Sequence, residues 1–177
     1  STAANWVPAV VPMNGDEVVV KNDVAGSGVF TTDNDLSGLE VAGMTVGASV
    51  TVTGREITLT GKLTRSGKGE VVLPAIRLGG SGVREMMVLG NLRLGGLVMN
   101  GRDVVVDLED ARLTVERPEG TGTVSLRSED ESGDVVVRTP PVAGASAGLR
   151  WVVDGCELTV DSPAAVAEPV CGGEFVV

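Results

Sequence analysis

Several residue types on which catalytic sites depend are missing or scarce in this sequence. The 177 residues include no His and no Tyr, and only two Trp, two Phe and two Cys. Without His, acid–base chemistry would have to come from carboxylates, Lys or Cys, and a zinc site would lack a common nitrogen ligand. No Gly-rich phosphate loop leads into a helical segment. We therefore expect a protein that is not an enzyme and has no cofactor, apart from the calcium considered below.

Positive charge is also scarce. The chain has 14 Lys and Arg against 24 Asp and Glu, a formal net charge of −10. Binding to nucleic acid depends mainly on cations that neutralise phosphates, so we expect no nucleic-acid partner. No apolar run approaches the ~20 residues of a membrane-spanning helix, so we expect no transmembrane segment.

Valine and glycine are abundant, and they favour β-structure. Hydrophobic residues make up 42% of the chain, and there are 25 Gly. Valine packs well on a pleated surface, and glycine tolerates the positive φ of tight turns. Alternating stretches such as "ASVTVTG", "REITLTGKLT" and "DVVVDLEDARLTVER" recur along the chain, and together they predict about ten strands. Residues 81–91 suit a short helix as well as a strand, and residues 161–169 suit one or two helical turns.

Turn signals between these stretches predict hairpins. Residues 57–76 and 121–138 each place a polar turn between two alternating segments, and Asn100-Gly101 is a typical type I′ hairpin pair. These signals predict a two-sheet antiparallel β-sandwich of jelly-roll or Greek-key type. Residues 1–16 would form an N-terminal arm and residues 17–177 a single domain. The alternative is a β-solenoid, because similar segments begin at Gly38, Asn91 and Gly148.

The segment "DNDLSG" (residues 33–38) matches the first half of an EF-hand calcium loop. The predicted ligands are Asp33, Asp35 and Ser37, with Glu40 as an additional carboxylate. The loop position that needs a bidentate Glu is Met44, and Ca²⁺ prefers 6 to 8 oxygen ligands. The segment is therefore either a weak Ca²⁺ site or a set of Asx turns that precede a strand.

Other candidate residues lie farther along the chain. Cys156 and Cys171 are either a disulfide pair or two buried thiols. Four carboxylates, Glu129, Asp130, Glu131 and Asp134, suit a solvated turn, which could also attract a cation or a basic partner. We expect Trp151 to pack in the core. Three arginines are expected to be donors at a rim or an interface, namely Arg77, Arg84 and Arg93.

These features point to assembly rather than chemistry. An apolar N-terminal arm on a Lys-poor β-protein suits a building block that binds copies of itself. By analogy with the predicted jelly roll, we expect a virion coat component that binds itself and other coat or surface proteins. The alternative is an extracellular binding or adhesion module with a weak Ca²⁺ site. A filament or stalk would follow if the chain is a solenoid. The expected location is the virion or the extracellular space.

Overall fold

The computed structural model describes residues 10–21, 28–47, 49–138 and 148–160, together with the backbone of residues 168–171 and 175–176. Every regular element in these residues is a β-strand. The strands are β1 (Asp16–Val20), β2 (Phe30–Asn34), β3 (Glu40–Val46), β4 (Val50–Gly54), β5 (Ile57–Arg65), β6 (Val71–Leu78), β7 (Arg84–Val88), β8 (Leu92–Val98), β9 (Val104–Leu108), β10 (Arg112–Val115), β11 (Pro118–Glu119), β12 (Gly122–Arg127), β13 (Gly133–Val137), β14 (Leu149–Asp154), β15 (Cys156–Val160), β16 (Glu168–Cys171) and β17 (Phe175–Val176).

The strands form a parallel β-solenoid. Two long parallel sheets run along it. Sheet 1 contains β1, β3, β5, β7, β9, β12, β14 and β16 in that order. Sheet 2 contains β2, β4, β6, β8, β10, β13, β15 and β17. We call each strand of sheet 1, with the strand of sheet 2 that follows it, a coil.

A shorter third sheet closes the cross-section. The first half of β5 pairs with the second half of β6, which pairs with the second half of β8, which in turn pairs with β11. The long strands β5, β6 and β8 therefore contribute their two halves to two different sheets. The solenoid is three-sided in these coils, and every strand pair in the described residues is parallel.

The core consists of inward-facing aliphatic side chains stacked in rows. One row passes through sheet 2 from Val50 to Val71, Leu92 and Leu113, with about 21 residues from one coil to the next. Each of these four side chains is buried. In a parallel solenoid each coil covers the apolar face of its neighbour, which explains why a protein with so few aromatic residues can still exclude water from its core.

The predicted antiparallel β-sandwich is therefore wrong, and the alternative of a β-solenoid is correct. Alternation of apolar and polar residues identifies a strand but does not identify its partner. The strands predicted to form antiparallel hairpins form parallel pairs instead; β5 and β6 do pair with each other, but in parallel and through opposite halves. The strand formed by residues 84–88 also decides the choice left open for residues 81–91.

The turn at Asn100-Gly101 shows how the hairpin prediction failed. Both residues have positive φ, 51° and 70°, and the Arg102 amide donates to the Met99 carbonyl at 2.8 Å. These are features of the predicted type I′ turn. The turn joins β8 to β9, however, and these strands belong to different sheets. The local conformation was predicted correctly, but it makes a corner of the solenoid.

Two predicted segments cannot be compared with the structure. Residues 1–9 of the predicted arm lie outside the described residues. The predicted helical turns at 161–169 also lie outside them, except that Glu168 and Pro169 begin β16.

Candidate functional site

The predicted calcium ligands lie at the corner between β2 and β3. Asp33 accepts a hydrogen bond from the Thr53 hydroxyl at 2.8 Å. Between the predicted ligands, the Asn34 side chain accepts a hydrogen bond from the Leu36 amide at 3.3 Å and donates to the Arg55 carbonyl at 2.9 Å. Asn34 is buried. The segment thus contains the Asx turn that was the alternative to a calcium site.

The arrangement of these carboxylates offers no direct support for calcium. In the part of the chain that the structure describes, no group of three or more Asp, Glu or Cys side chains converges as a metal site would. Ca²⁺ requires 6 to 8 oxygen ligands around one point. Calcium binding by Asp33, Asp35, Ser37 and Glu40 remains a prediction.

The acidic turn predicted at residues 129–134 is a corner between sheet 1 and sheet 2. Corners of adjacent coils stack on one another, so this edge carries exposed carboxylates in three successive coils. We call it the acidic edge; its residues are Glu109, Asp110, Glu129, Asp130, Glu131 and Asp154. Asp134 lies beyond it in β13 and pairs with Arg112 at 2.9 Å.

Asp130 organises the middle corner of the acidic edge. Its carboxylate accepts hydrogen bonds from the Ser128 hydroxyl at 2.8 Å and from the Ser132 amide at 3.3 Å. Hydrogen bonds from Ser132, and secondarily from Ser128, lower the pKa of Asp130. The carboxylate is therefore engaged in shaping the turn.

The cysteines occupy different sheets. Cys156 begins β15 in sheet 2 and is buried, and burial raises the pKa of its thiol to about 11. Cys171 ends β16 in sheet 1, and its side chain lies outside what the structure describes. The disulfide between them remains a prediction.

Two of the three predicted rim arginines form surface ion pairs. Arg77 contacts Glu56 through two hydrogen bonds, at 2.5 and 3.2 Å. Arg93 contacts Glu116 at 2.7 Å. The third, Arg84, is buried and donates instead to the carbonyls of Gly79 and Ser81 at 2.9 and 2.8 Å. It therefore stabilises its own loop, contrary to the prediction of a rim donor.

A second buried arginine was missed in the sequence. Arg65 is fully buried and stands in an inward-facing row between Val46 and Val88. Its guanidinium donates to four carbonyls, those of Ser66, Gly67, Gly69 and Asn91. Burial lowers the pKa of Arg65. The signal available in the sequence was the long Gly-rich loop that follows it, whose carbonyls need donors.

Trp151 is fully buried, as predicted. It stands in an inward-facing row of sheet 1 beside Val124. Its indole nitrogen has no hydrogen-bond partner among the described residues. The side chain therefore contributes apolar packing to the core rather than an exposed contact.

Exposed large hydrophobic side chains of the described residues are concentrated in and next to the first coil, which is formed by β1 and β2. Six large hydrophobic residues are exposed in the described chain, and five of them lie in or next to this coil: Val10, Met13, Val19, Val29 and Phe30. The sixth is Val83. Phe30 begins the inward-facing row that continues through Val50, yet it is 40% exposed. The core of the solenoid is therefore incompletely covered at this end.

The first coil also has unpaired strand edges. Within the described residues, β1 pairs with β3 alone and β2 pairs with β4 alone. Each strand therefore has one edge whose amides and carbonyls face away from the solenoid. Open edges with apolar side chains are typical sites of strand addition from another chain.

Comparisons with known proteins show no relative of this chain. No protein-family model, no curated protein and no solved structure matches it. Among the residues that the structure describes, no helix is long and apolar enough to cross a membrane.

Proposed function

We propose that the chain is a non-catalytic structural protein that self-associates through its first coil. The observation that carries this proposal is the concentration of exposed apolar residues in and next to the first coil, whose strands β1 and β2 each have an open edge within the described residues. Apolar patches of this kind mark association surfaces in water-soluble domains. The parallel edges supply backbone hydrogen bonds, and Val19, Val29 and Phe30 supply apolar area.

The opposing free energies of association indicate that self-association depends on concentration. Complete burial of one Val, Met or Phe side chain contributes about 1.5–3 kcal/mol. The five exposed residues are already partly buried, so together they contribute on the order of 5 kcal/mol. Association costs about 4–15 kcal/mol in lost freedom. The apolar contacts alone therefore offset only the lower end of this range of association costs. The backbone hydrogen bonds between the two edges determine how tightly copies bind.

The expectation of a viral coat protein loses its main support in this structure. It depended on a jelly roll, and the fold is a parallel solenoid. Self-assembly is retained here because it is supported by the first coil, which does not depend on the jelly roll.

The test is the absolute mass in solution, measured by size-exclusion chromatography with light scattering over a wide concentration range. The wild-type mass should rise with concentration. Val19→Asp should keep the protein monomeric, because it places a charge on the apolar edge. Val83→Asp is the matched control, since Val83 is 55% exposed, like Val19 at 54%, but lies outside the first coil. A wild-type monomer at every concentration would rule out this function.

A second candidate is the extracellular binding or adhesion module, which one surface of sheet 2 favours. An outward-facing row on this sheet consists almost entirely of Thr and Val. Its members are Thr31, Thr51, Val72, Arg93, Thr114, Val136 and Thr159. Short β-branched side chains make a flat, rigid surface with hydroxyls at intervals, which suits an extended ligand such as a polysaccharide.

Retention on insoluble cellulose and chitin tests this second candidate. Thr114→Lys should weaken retention, because it adds a long charged side chain to the flat row. Val19→Asp should leave retention unchanged, since the first coil takes no part. A wild-type protein that both polysaccharides fail to retain would contradict the module.

A further inference from the structure

Both ends of the solenoid present the same pair of open strands. At the far end, β16 pairs with β14 alone and β17 with β15 alone within the described backbone. The first coil presents the opposite edges of β1 and β2. Within the described residues, each of the two long sheets therefore has one unpaired strand edge at either end. The two edges face in opposite directions along the solenoid, like the facing edges of two neighbouring coils.

The rows of register positions also agree at the two ends. The row of register partners in sheet 2 that begins at Phe30 ends, after Leu158, at Phe175. These are the two Phe residues of the chain. The neighbouring row begins at Thr31 and ends, after Thr159, at Val176. A further coil placed on the last one would therefore continue the same rows.

Resting on the proposed self-association, we infer that the partner of the first coil is the last coil of a second copy. Molecules then join head to tail, and sheets 1 and 2 continue in parallel across the junction. The contact repeats the coil-to-coil interface that already stabilises the interior of the chain. Phe175 of one copy stands opposite Phe30 of the next, and Val176 stands opposite Thr31.

Charge favours this polarity over a head-to-head contact. The first coil and its flanks carry Asp16, Glu17, Asp33 and Asp35 against one cation, Lys21, in the described residues. A twofold contact between two first coils would bring these carboxylates together, and closely juxtaposed like charges are unfavourable. In the head-to-tail arrangement, the described last coil brings a single carboxylate, Glu168, and Glu17 stands opposite Val170, which follows Val152 in the same row.

Cross-linking between singly labelled chains tests the polarity. Thr31→Cys and Val176→Cys are made separately in a background with Cys156→Ala and Cys171→Ser, after light scattering has shown that this background self-associates like the wild type. A short thiol-specific bifunctional reagent is then added to each variant and to their mixture. The head-to-tail contact predicts cross-linked dimers only in the mixture.

Glu17→Cys with Val170→Cys is a second pair, in sheet 1, and should give the same result. Dimers formed by Thr31→Cys alone would show a head-to-head contact; this outcome overturns the inference and leaves self-association intact. No dimers in any sample, together with a monomeric wild type, would overturn both. A further outcome concerns residues 1–9 of the same chain. If the wild type is monomeric and deletion of residues 1–9 allows it to self-associate and cross-link, these residues cover the first coil in the intact chain. That outcome would overturn the inference for the intact chain.

The repeat length of a filament along its axis is an independent test of the same head-to-tail contact. Sheet 1 has eight strands, and parallel strands lie about 4.8 Å apart, so each copy adds about 38 Å along the axis. Head-to-tail filaments in electron micrographs should repeat at about this length. A repeat of twice this length would indicate alternating polarity and would contradict the inference.

Discussion

Arg65 occupies a position that valine fills in the coils on either side. Its charge is not balanced by a carboxylate in the contacts described for it; four backbone carbonyls around the following loop accept its hydrogen bonds instead. A buried cation is costly unless its donors are satisfied. Here the loop and the guanidinium satisfy each other, and the longer loop of this coil is thereby fixed against the core.

Replacing Arg65 should therefore destabilise the protein. Arg65→Met keeps the length of the side chain but leaves the carbonyls of the loop without their donors. We expect a loss of about 1–3 kcal/mol in the free energy of unfolding, measured by urea denaturation. Arg55→Met, at an exposed position, is the control and should change it by less than about 0.5 kcal/mol. Equal effects of the two substitutions would contradict a structural role for Arg65.

Cys156 makes the stability sensitive to alkaline pH. Its pKa is raised from 9.0 to about 11 in the folded state, so the folded protein favours the neutral thiol. This contribution is complete below pH 9 and is lost as the pH rises toward 11. Between pH 8 and pH 10.5, the reduced wild type should lose about 2 kcal/mol more unfolding free energy than Cys156→Val does. Equal losses would show that burial does not hold the thiol neutral.

At the scale of elements, the corners of the solenoid determine where each strand begins. Gly61 lies in β5, between the half that belongs to the third sheet and the half that belongs to sheet 1. A Cβ added there would collide with the backbone carbonyl of Ala42 in the preceding coil. The two coils approach each other so closely at this corner that only glycine fits.

Gly61→Ala should consequently separate the two coils locally. We expect a loss of at least about 2 kcal/mol in unfolding free energy, because the clash is with backbone rather than with a flexible side chain. Gly95→Ala is the control: Gly95 is also a strand glycine, and its added Cβ would meet only ordinary contacts at 3.4 Å or more. Its unfolding midpoint should stay close to that of the wild type. A tolerated Gly61→Ala would indicate that the coils are farther apart than the structure has them.

The sequence could predict the local conformation of a turn and the burial of a side chain, but it could not predict which strands pair with each other. The positive φ of Asn100 and Gly101 and the burial of Trp151 follow from residue type and spacing. Register partners lie between 17 residues apart (Leu158 and Phe175) and 27 residues apart (Gly122 and Leu149), and no local signal specifies them. The spacing of Val50, Val71, Leu92 and Leu113 carried that information. This regular spacing was hard to recognise, because alternating strands also place apolar residues at many other spacings.

The candidate site was harder to predict than the fold for the same reason. Asp33 and Glu40 are close in sequence and look like ligands of one ion, but they belong to strands of different sheets. The exposed residues of the first coil carry no motif, since Val19 and Phe30 look like ordinary strand residues. Their significance comes from their position at the end of a stack, which only the topology reveals.

At the scale of the whole molecule, a parallel solenoid is a stack of similar coils, and its geometry allows a further coil to be added at either end. Each coil is covered by the next, so stability is shared between neighbours and the terminal coils are the least protected. Within the described residues, the first coil has open strand edges and exposed apolar side chains. A second copy is the simplest cover for it, because it has the same cross-section and the same rows of residues.

Hydrogen exchange of the first coil tests this account most directly. Amide exchange in β1 and β2 would be measured by mass spectrometry at low and high protein concentration, with β9 and β10 as internal references from the middle of the stack. Exchange in β1 and β2 should slow markedly at high concentration, because a second copy then covers their open edges, while exchange in β9 and β10 stays constant. Rates in β1 and β2 that do not depend on concentration would contradict association through the first coil.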